Sequence, residues 1–155
     1  MKSSEVVCEI IPFAYEYLDD VLNVENECFD EEDRYSRYIF EWFISKTPIF
    51  HLARCNGIVV GYVLSVVRRD TCYIESLAVR KMWRRLGLGE RLIRKSLDEC
   101  IVKGAKKAAL EVATDNEVAI NLYKKLGFKA KKVLKGYYCG KKDAYFMVKD
   151  LQPVV

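Results

Sequence analysis

The sequence predicts a mixed α/β (α+β) domain, a twisted and mostly antiparallel sheet of about seven strands flanked by about four helices. Three observations lead there. Residues 49–79 form short apolar runs broken by tight-turn signals, residues 88–101 switch to a helical period, and residues 108–149 return to short strands around one further helix.

Val6 to Ile11 reads as a first strand, ended by Pro12, whose missing N–H cannot join a sheet ladder. Tyr15 to Phe29 places Leu18, Val21, Leu22 and Val24 near helical spacing, and Tyr35 to Ile44 does the same with Tyr38, Ile39, Trp42 and Phe43. Between them, Asp30-Glu31-Glu32-Asp33-Arg34 reads as a solvated acidic loop. Ile49 to Cys55 and Ile58 to Val67 flank Asn56-Gly57, the pair that supplies both positive-φ residues of a type I′ hairpin turn. Arg68 to Thr71 reverses the chain again, and Cys72 to Val79 follows as a third antiparallel strand. Leu88, Leu92, Ile93, Leu97, Cys100 and Ile101 then repeat at the spacing of an amphipathic helix, with Gly104 placed to cap it. Ala108 to Ala113 is a short strand. Thr114-Asp115-Asn116-Glu117 has the order of a capping box, opening a helix through Leu126 that Gly127 closes. Phe128 to Leu134 and Asp143 to Lys149 form a closing hairpin.

The 155 residues suit one domain over 1–155, because no linker or repeat interrupts them and prolines occur only at 12, 48 and 153. With 51% apolar and 31% charged residues, disorder, collagen and low complexity are excluded. The longest uncharged apolar runs, such as Ile58 to Val67, fall well short of the ~20 residues a membrane helix takes. Met1 to Glu5 lead into a short alternating run without the apolar centre or cleavage site of a secretory signal, so a cytoplasmic address is expected. Six cysteines, at 8, 28, 55, 72, 100 and 139, form no C-x-x-C pair, and His51 is the only histidine, which argues against a metal site. Buried thiols acting as small apolar side chains are the expectation, with disulfides reserved for a hyperthermophilic source.

The sharpest local feature is Arg84-Arg85-Leu86-Gly87-Leu88-Gly89, between a strand and a long helix. The first amides of a helix lack intrahelical partners and carry partial positive charge, glycines admit a phosphate close to the backbone, and two arginines add charge. A basic turn before a helix and a diphosphate cradle both fit these residues. Neither G-x-x-x-x-G-K-[ST] nor G-x-G-x-x-G is present, which disfavours a P-loop NTPase and a dinucleotide-binding dehydrogenase.

Leu77-Ala78-Val79 followed by Arg84-x-x-Gly87-x-Gly89 resembles the acetyl-coenzyme A motif of the GNAT superfamily of N-acetyltransferases. Leu110-Glu111-Val112, Asn116 and Ala119 to Phe128 are similar to the second half of that family's core, so the resemblance covers residues 72 to 128 in the expected order. Leu134 to Tyr138 and Asp143 to Met147 resemble the closing segment of RimI-like and archaeal protein N-terminal acetyltransferases.

The resemblance implies acetyl-coenzyme A as cosubstrate, a protein N-terminus as acceptor, ribosomal proteins among them, and no membrane partner. Residues 84 to 89 would hold the diphosphate, and the backbone of Leu77, Ala78 and Val79 the pantetheine arm, on a strand whose bulge frees an N–H for the thioester oxygen. Asn116 would bond the pantetheine, although capping the helix is its other reading. Glu111, a carboxylate inside a short apolar strand, must be paired, hydrated or used. The resemblance makes it the general base acting through water, with Glu75 a lesser alternative and pairing with a surface lysine the plainer reading. Tyr123 would protonate the departing thiolate, or else pack in the core, and Tyr73 would help hold the catalytic water. Gly136-Tyr137-Tyr138 resembles a loop over the substrate's first residues, with Phe29 to Tyr35 opposite.

One departure stands out. Where many members of the family carry an acidic Asp-Gly-Glu-Asp-Ala, this chain has Cys139-Gly140-Lys141-Lys142-Asp143-Ala144, which puts substrate preference in doubt. Two other functions compete: acetylation of a small amine on the same fold, and a basic module binding nucleic acid through lysine and arginine clusters. A net charge of +4 is modest for the latter, so nucleic acid is not the expected partner.

Overall fold

The computed structural model describes residues 5–152. The residues used above to argue against a signal, Met1 to Ser4, lie outside that range, as does Pro153. Seven strands and four α-helices follow one another as β1 (Cys8–Pro12), α1 (Leu18–Cys28), α2 (Arg37–Ile44), β2 (Ile49–Cys55), β3 (Ile58–Arg68), β4 (Thr71–Val79), α3 (Leu88–Val102), β5 (Lys107–Ala113), α4 (Glu117–Lys125), β6 (Lys129–Tyr138) and β7 (Lys142–Asp150). Short 3-10 turns precede α1 and follow β4.

All seven strands share one sheet in the order β1-β2-β3-β4-β5-β7-β6. The expected Asn56-Gly57 turn joins β2 to β3, both residues having positive φ. Gly104 ends α3 as expected, with φ +93 and its N–H bonded to the Ile101 carbonyl. Alternation along the strands puts Ala108, Leu110 and Val112 in a core with Leu88, Leu92, Ile93 and Ile120 from α3 and α4. A second core on the other face packs Val21 and Val24 of α1 and Phe40 of α2 against Leu52, Tyr62 and Leu64.

The sheet is nearly two sheets. β4 and β5 run parallel and pair only at Thr71↔Lys107, Cys72↔Ala108 and Tyr73↔Ala109, after which they part. Leu64 of β3 pairs with Ser76 while its neighbour Ser65 pairs with Ile74, so Glu75 is an extra, unmatched residue in β4. A bulge of this kind bends its strand and sharpens the twist, which turns the rest of β4 away from β5 and leaves that edge unpaired.

Three expectations need correction. Cys8 and Cys55 face each other across the β1–β2 register, Cα atoms 4.0 Å apart, and form a disulfide. Cys72 of β4 and Cys100 of α3 form a second, Cα atoms 5.8 Å apart. The partners lie 47 and 28 residues apart in sequence, so topology rather than spacing brings them together; Cys28 and Cys139 are free. No capping box opens α4, because the side chain of Asn116, not Thr114, accepts the N–H of Ala119 at 3.2 Å. Gly136 to Tyr138 belong to β6 rather than to a loop, although the β6–β7 register shifts between Leu134 and Tyr138.

The edge strand β6 exposes Lys129, Lys131, Lys132 and Lys135, charges that discourage another strand from adding to the sheet. Among the described residues, no helix is long and apolar enough to cross a membrane, and no three His, Cys, Asp or Glu side chains gather as a metal site would need.

Candidate active site where the two half-sheets part

α3 begins directly beside the gap. Its first residue follows Gly87, whose φ of +75 is left-handed, and no side chain caps the helix. The amides of the first turn therefore point out unbonded, and the acidic residue of that turn, Glu90, is paired with Arg94 and Lys125. Leu88 anchors the turn in the core at 2% exposure. At Gly89 a Cβ would stand 3.3 Å from Leu122 of α4, so this glycine lets α3 and α4 approach, a task different from that of Gly87. Leu86 and Arg85 are exposed. Arg84 folds back instead: its Nε donates to the Val79 carbonyl at 2.8 Å, closing the end of β4 rather than extending towards the helix terminus.

Leu77, Ala78 and Val79 form the unpaired edge of β4 facing the gap. Leu77 and Val79 side chains join the α3–α4 core, and Ala78 the α1–α2 core, so the backbone between them is what the gap presents. Asn116 is committed at its carbonyl to capping α4, which leaves its amide group free to donate. Tyr123 is buried against Phe128, ring centroids 5.9 Å apart, and burial pushes its hydroxyl pKa well up, with Tyr138 adding to the shift.

On the opposite face of the sheet lies an acidic, tyrosine-lined slot. Glu111 stands on the face it shares with Ala109 and Ala113, half-buried, and burial together with the neighbouring Glu75 carboxylate raises its pKa. Glu75 is raised by burial and pulled back by Arg68, 3.6 Å away. Tyr73 lies on this face too, its ring under the Arg68 guanidinium at 5.5 Å. The Tyr35 hydroxyl donates to the Glu75 carbonyl at 3.3 Å, and burial pushes its pKa up strongly. Tyr137 and Tyr138 meet edge to face at 4.9 Å; burial raises both, Tyr138 to about 12.

Residues 29 to 35 arch over this slot to the β6–β7 turn, where Lys141 pairs with Glu32 at 2.9 Å. Lys142 pairs with Asp115 at 3.5 Å. The two lysines that replace the family's acidic residues thus find carboxylates on facing loops. Phe29 itself packs against the α1–α2 core at the end of α1, in the same cluster as Tyr35. A cavity of about 400 Å³ between α4 and the β6–β7 hairpin, lined by Ile120, Asn121, Lys124, Tyr145 and Met147 among others, includes no residue of β4, β5 or α3.

The structure places Glu111, Tyr35, Tyr73, Tyr137 and Tyr138 around one slot and residues 77 to 89 across the sheet from it. Sequence reasoning missed Arg68 and the buried Glu25, although a glutamate on the apolar stripe of α1, beside Val21 and Val24, was a readable signal.

The chain is 34% identical over 142 residues to N-alpha-acetyltransferase 30 of Schizosaccharomyces pombe, covering 88% of this chain and 93% of that protein. It is 34% identical over 150 residues to the N-alpha-acetyltransferase of Sulfurisphaera tokodaii, covering 86% and 87%. The crystal structure of Ard1 from Thermoplasma volcanium superposes with a TM-score of 0.86 at 27% identity, covering 94% of this chain and 98% of that one. The profile of the Acetyltransferase (GNAT) family matches residues 16–128, from just before α1 to just past α4, and the chain belongs to that family of acetyltransferases.

Proposed function

We propose that the enzyme moves acetyl from acetyl-coenzyme A to the α-amine of a protein N-terminus. The observation that carries this reading is the unpaired edge of β4, set between an uncapped helix terminus on one face and a carboxylate-bearing slot on the other. The relatives named as N-alpha-acetyltransferases support the choice of acceptor.

The residues at the gap fit the cosubstrate. Open space surrounds Gly87, since a Cβ there would meet nothing within 4 Å, and the bare amides after it suit a diphosphate. Arg85 adds charge nearby. The backbone of Leu77 to Val79 pairs with the pantetheine amides as an added strand would, and the free amide of Asn116 donates to the same arm. Acetyl-coenzyme A, when bound, supplies the activated acyl group. The bulge at Glu75 turns a main-chain N–H towards the thioester oxygen, where charge grows as the amine attacks.

Glu111 accepts the amine's proton through a water held with Tyr73, the new C–N bond forms, the C–S bond breaks, and Tyr123 gives its proton to the departing thiolate. A raised Glu111 carboxyl is a stronger base than an ordinary one, which suits a substrate ammonium. Tyr35, Tyr137 and Tyr138 enclose the acceptor's first residues, and the Glu32–Lys141 pair narrows the entrance to favour a chain terminus over an internal lysine. A cytoplasmic site of action accompanies this reading, and ribosomal proteins are natural first substrates to try.

The test is to incubate the enzyme with radiolabelled acetyl-coenzyme A and short peptides whose N-termini are free or blocked, with a polyamine alongside. Label on free N-termini alone is expected. Label on blocked peptides through lysine, or on the polyamine only, refutes the acceptor assignment.

A further inference from the structure

Among the described residues, Glu25 is the one carboxylate fully enclosed, at 1% exposure. It sits on the apolar stripe of α1 and touches no reacting position. A buried carboxylate is a poor device for stability, since an apolar side chain of similar volume does as well or better. Its partners explain its presence.

Oε2 of Glu25 accepts the backbone N–H of Tyr35 at 2.8 Å, and Oε1 accepts the Tyr62 hydroxyl. Tyr62 and Ser76 hydroxyls lie 2.7 Å apart. The proton of Tyr62 is given to Glu25, so Ser76 donates to Tyr62. Ser76 immediately follows the bulged Glu75, whose carbonyl accepts the Tyr35 hydroxyl at 3.3 Å. The bonds close a ring: Glu25 to Tyr35, Tyr35 to Glu75, along the chain to Ser76, to Tyr62 and back to Glu25. That ring joins the bulge, which faces the cosubstrate, to Tyr35, which faces the acceptor.

We propose that Glu25 is a positioning residue for acetyl transfer, its enclosed carboxylate fixing the β4 bulge and the Tyr35 side of the slot relative to each other. The inference rests on the reading above, in which the bulge amide faces the thioester. Burial pushes the Glu25 pKa up while Tyr35, Tyr62 and Arg34 draw it back, as expected of a carboxylate retained for its acceptors.

The experiment compares wild type with Glu25→Ala, Glu25→Gln, Tyr62→Phe and the double variant Tyr62→Phe/Ser76→Ala. Calorimetric titration with coenzyme A counts binding-competent sites, so turnover is expressed per site. Tyr62→Phe is expected to lower kcat about tenfold at unchanged coenzyme A affinity, by loosening reactive geometry. Adding Ser76→Ala should cost less than about twofold more, because the route is already cut. Glu25→Ala should also raise the peptide KM, and Glu25→Gln, whose amide can accept from Tyr35 and donate to Tyr62, should recover most of the loss.

Hydrogen exchange supplies a readout independent of turnover, and Tyr62→Phe serves even if Glu25→Ala does not fold. Faster exchange at the amides of residues 35 and 75–77 with β2 unchanged supports the tie. Wild-type kcat per site in Tyr62→Phe, or unchanged exchange there, overturns it. If wild type binds coenzyme A yet labels no free N-terminus, the acceptor reading fails, and the exchange result still decides the fate of the ring.

Discussion

At Glu111, position and protonation compete. Its raised pKa means that the folded chain holds this proton to higher pH than the unfolded chain does. The contribution to stability is therefore best at low pH and falls as pH rises from the ordinary glutamate value through the raised one. Catalysis as a base needs the opposite state, so the acidic limb of the kcat/KM profile should follow this group. Glu111→Gln is expected to lower kcat about 100-fold where the wild-type carboxylate is ionised, with the deficit narrowing as pH falls and wild type loses its base too, while raising the melting temperature at neutral pH. Parallel pH-rate profiles and thermal melts check both; a wild-type pH profile removes Glu111 from the base role. Gly87 is a second case of one atom mattering, since a β-branched side chain at φ +75 strains the turn that presents the α3 amides. Gly87→Val should raise the coenzyme A Kd about tenfold by calorimetry, and an unchanged Kd would remove this turn from the cradle.

At the scale of elements, the strands and helices were legible because the apolar period changes cleanly from two to about 3.6 between β4 and α3. The bulge was not. It arises from how Leu64 and Ser65 of β3 pair with β4, and nothing within residues 71–79 marks Glu75 as the extra residue. Asn116 illustrates the same limit, because Thr114 and Glu117 spell a capping box that the chain does not form. The open edge of β4 depends as well on a tight crossing with β3. A Cβ on Gly61 would stand 2.8 Å from the carbonyl oxygen of Ala78, a backbone atom with no room to yield. Gly61→Ala is expected to destabilise the fold by about 1–3 kcal/mol, read from denaturant unfolding. A loss within error would mean that β3 and β4 separate freely here.

Across the whole molecule, charge and covalent ties are unevenly spread. The β6–β7 hairpin, residues 129–150, carries seven lysines and two aspartates, net +5, so the rest of the chain nets −1. Composition alone read the lysine clusters as solvated faces, whereas the sheet order sets one of them, Lys129 to Lys135, along an edge strand. The disulfides escaped the sequence because each joins elements that only the finished sheet brings together. By loop length each contributes about 4 kcal/mol through the unfolded state. Melting with and without a phosphine reductant should show a clear drop in midpoint on reduction, and an unchanged midpoint would mean that the cysteines act as plain apolar packing.

The bond between Cys72 and Cys100 welds the stem of β4 to the far end of α3. Strand edge and helix tip, which between them would face the proposed cosubstrate, therefore move as one rigid jaw. The opposing jaw, over the proposed acceptor slot, is fastened by the surface pair of Glu32 and Lys141, which brine weakens. Heat and salt should thus blur the choice of acceptor well before they loosen the hold on coenzyme A.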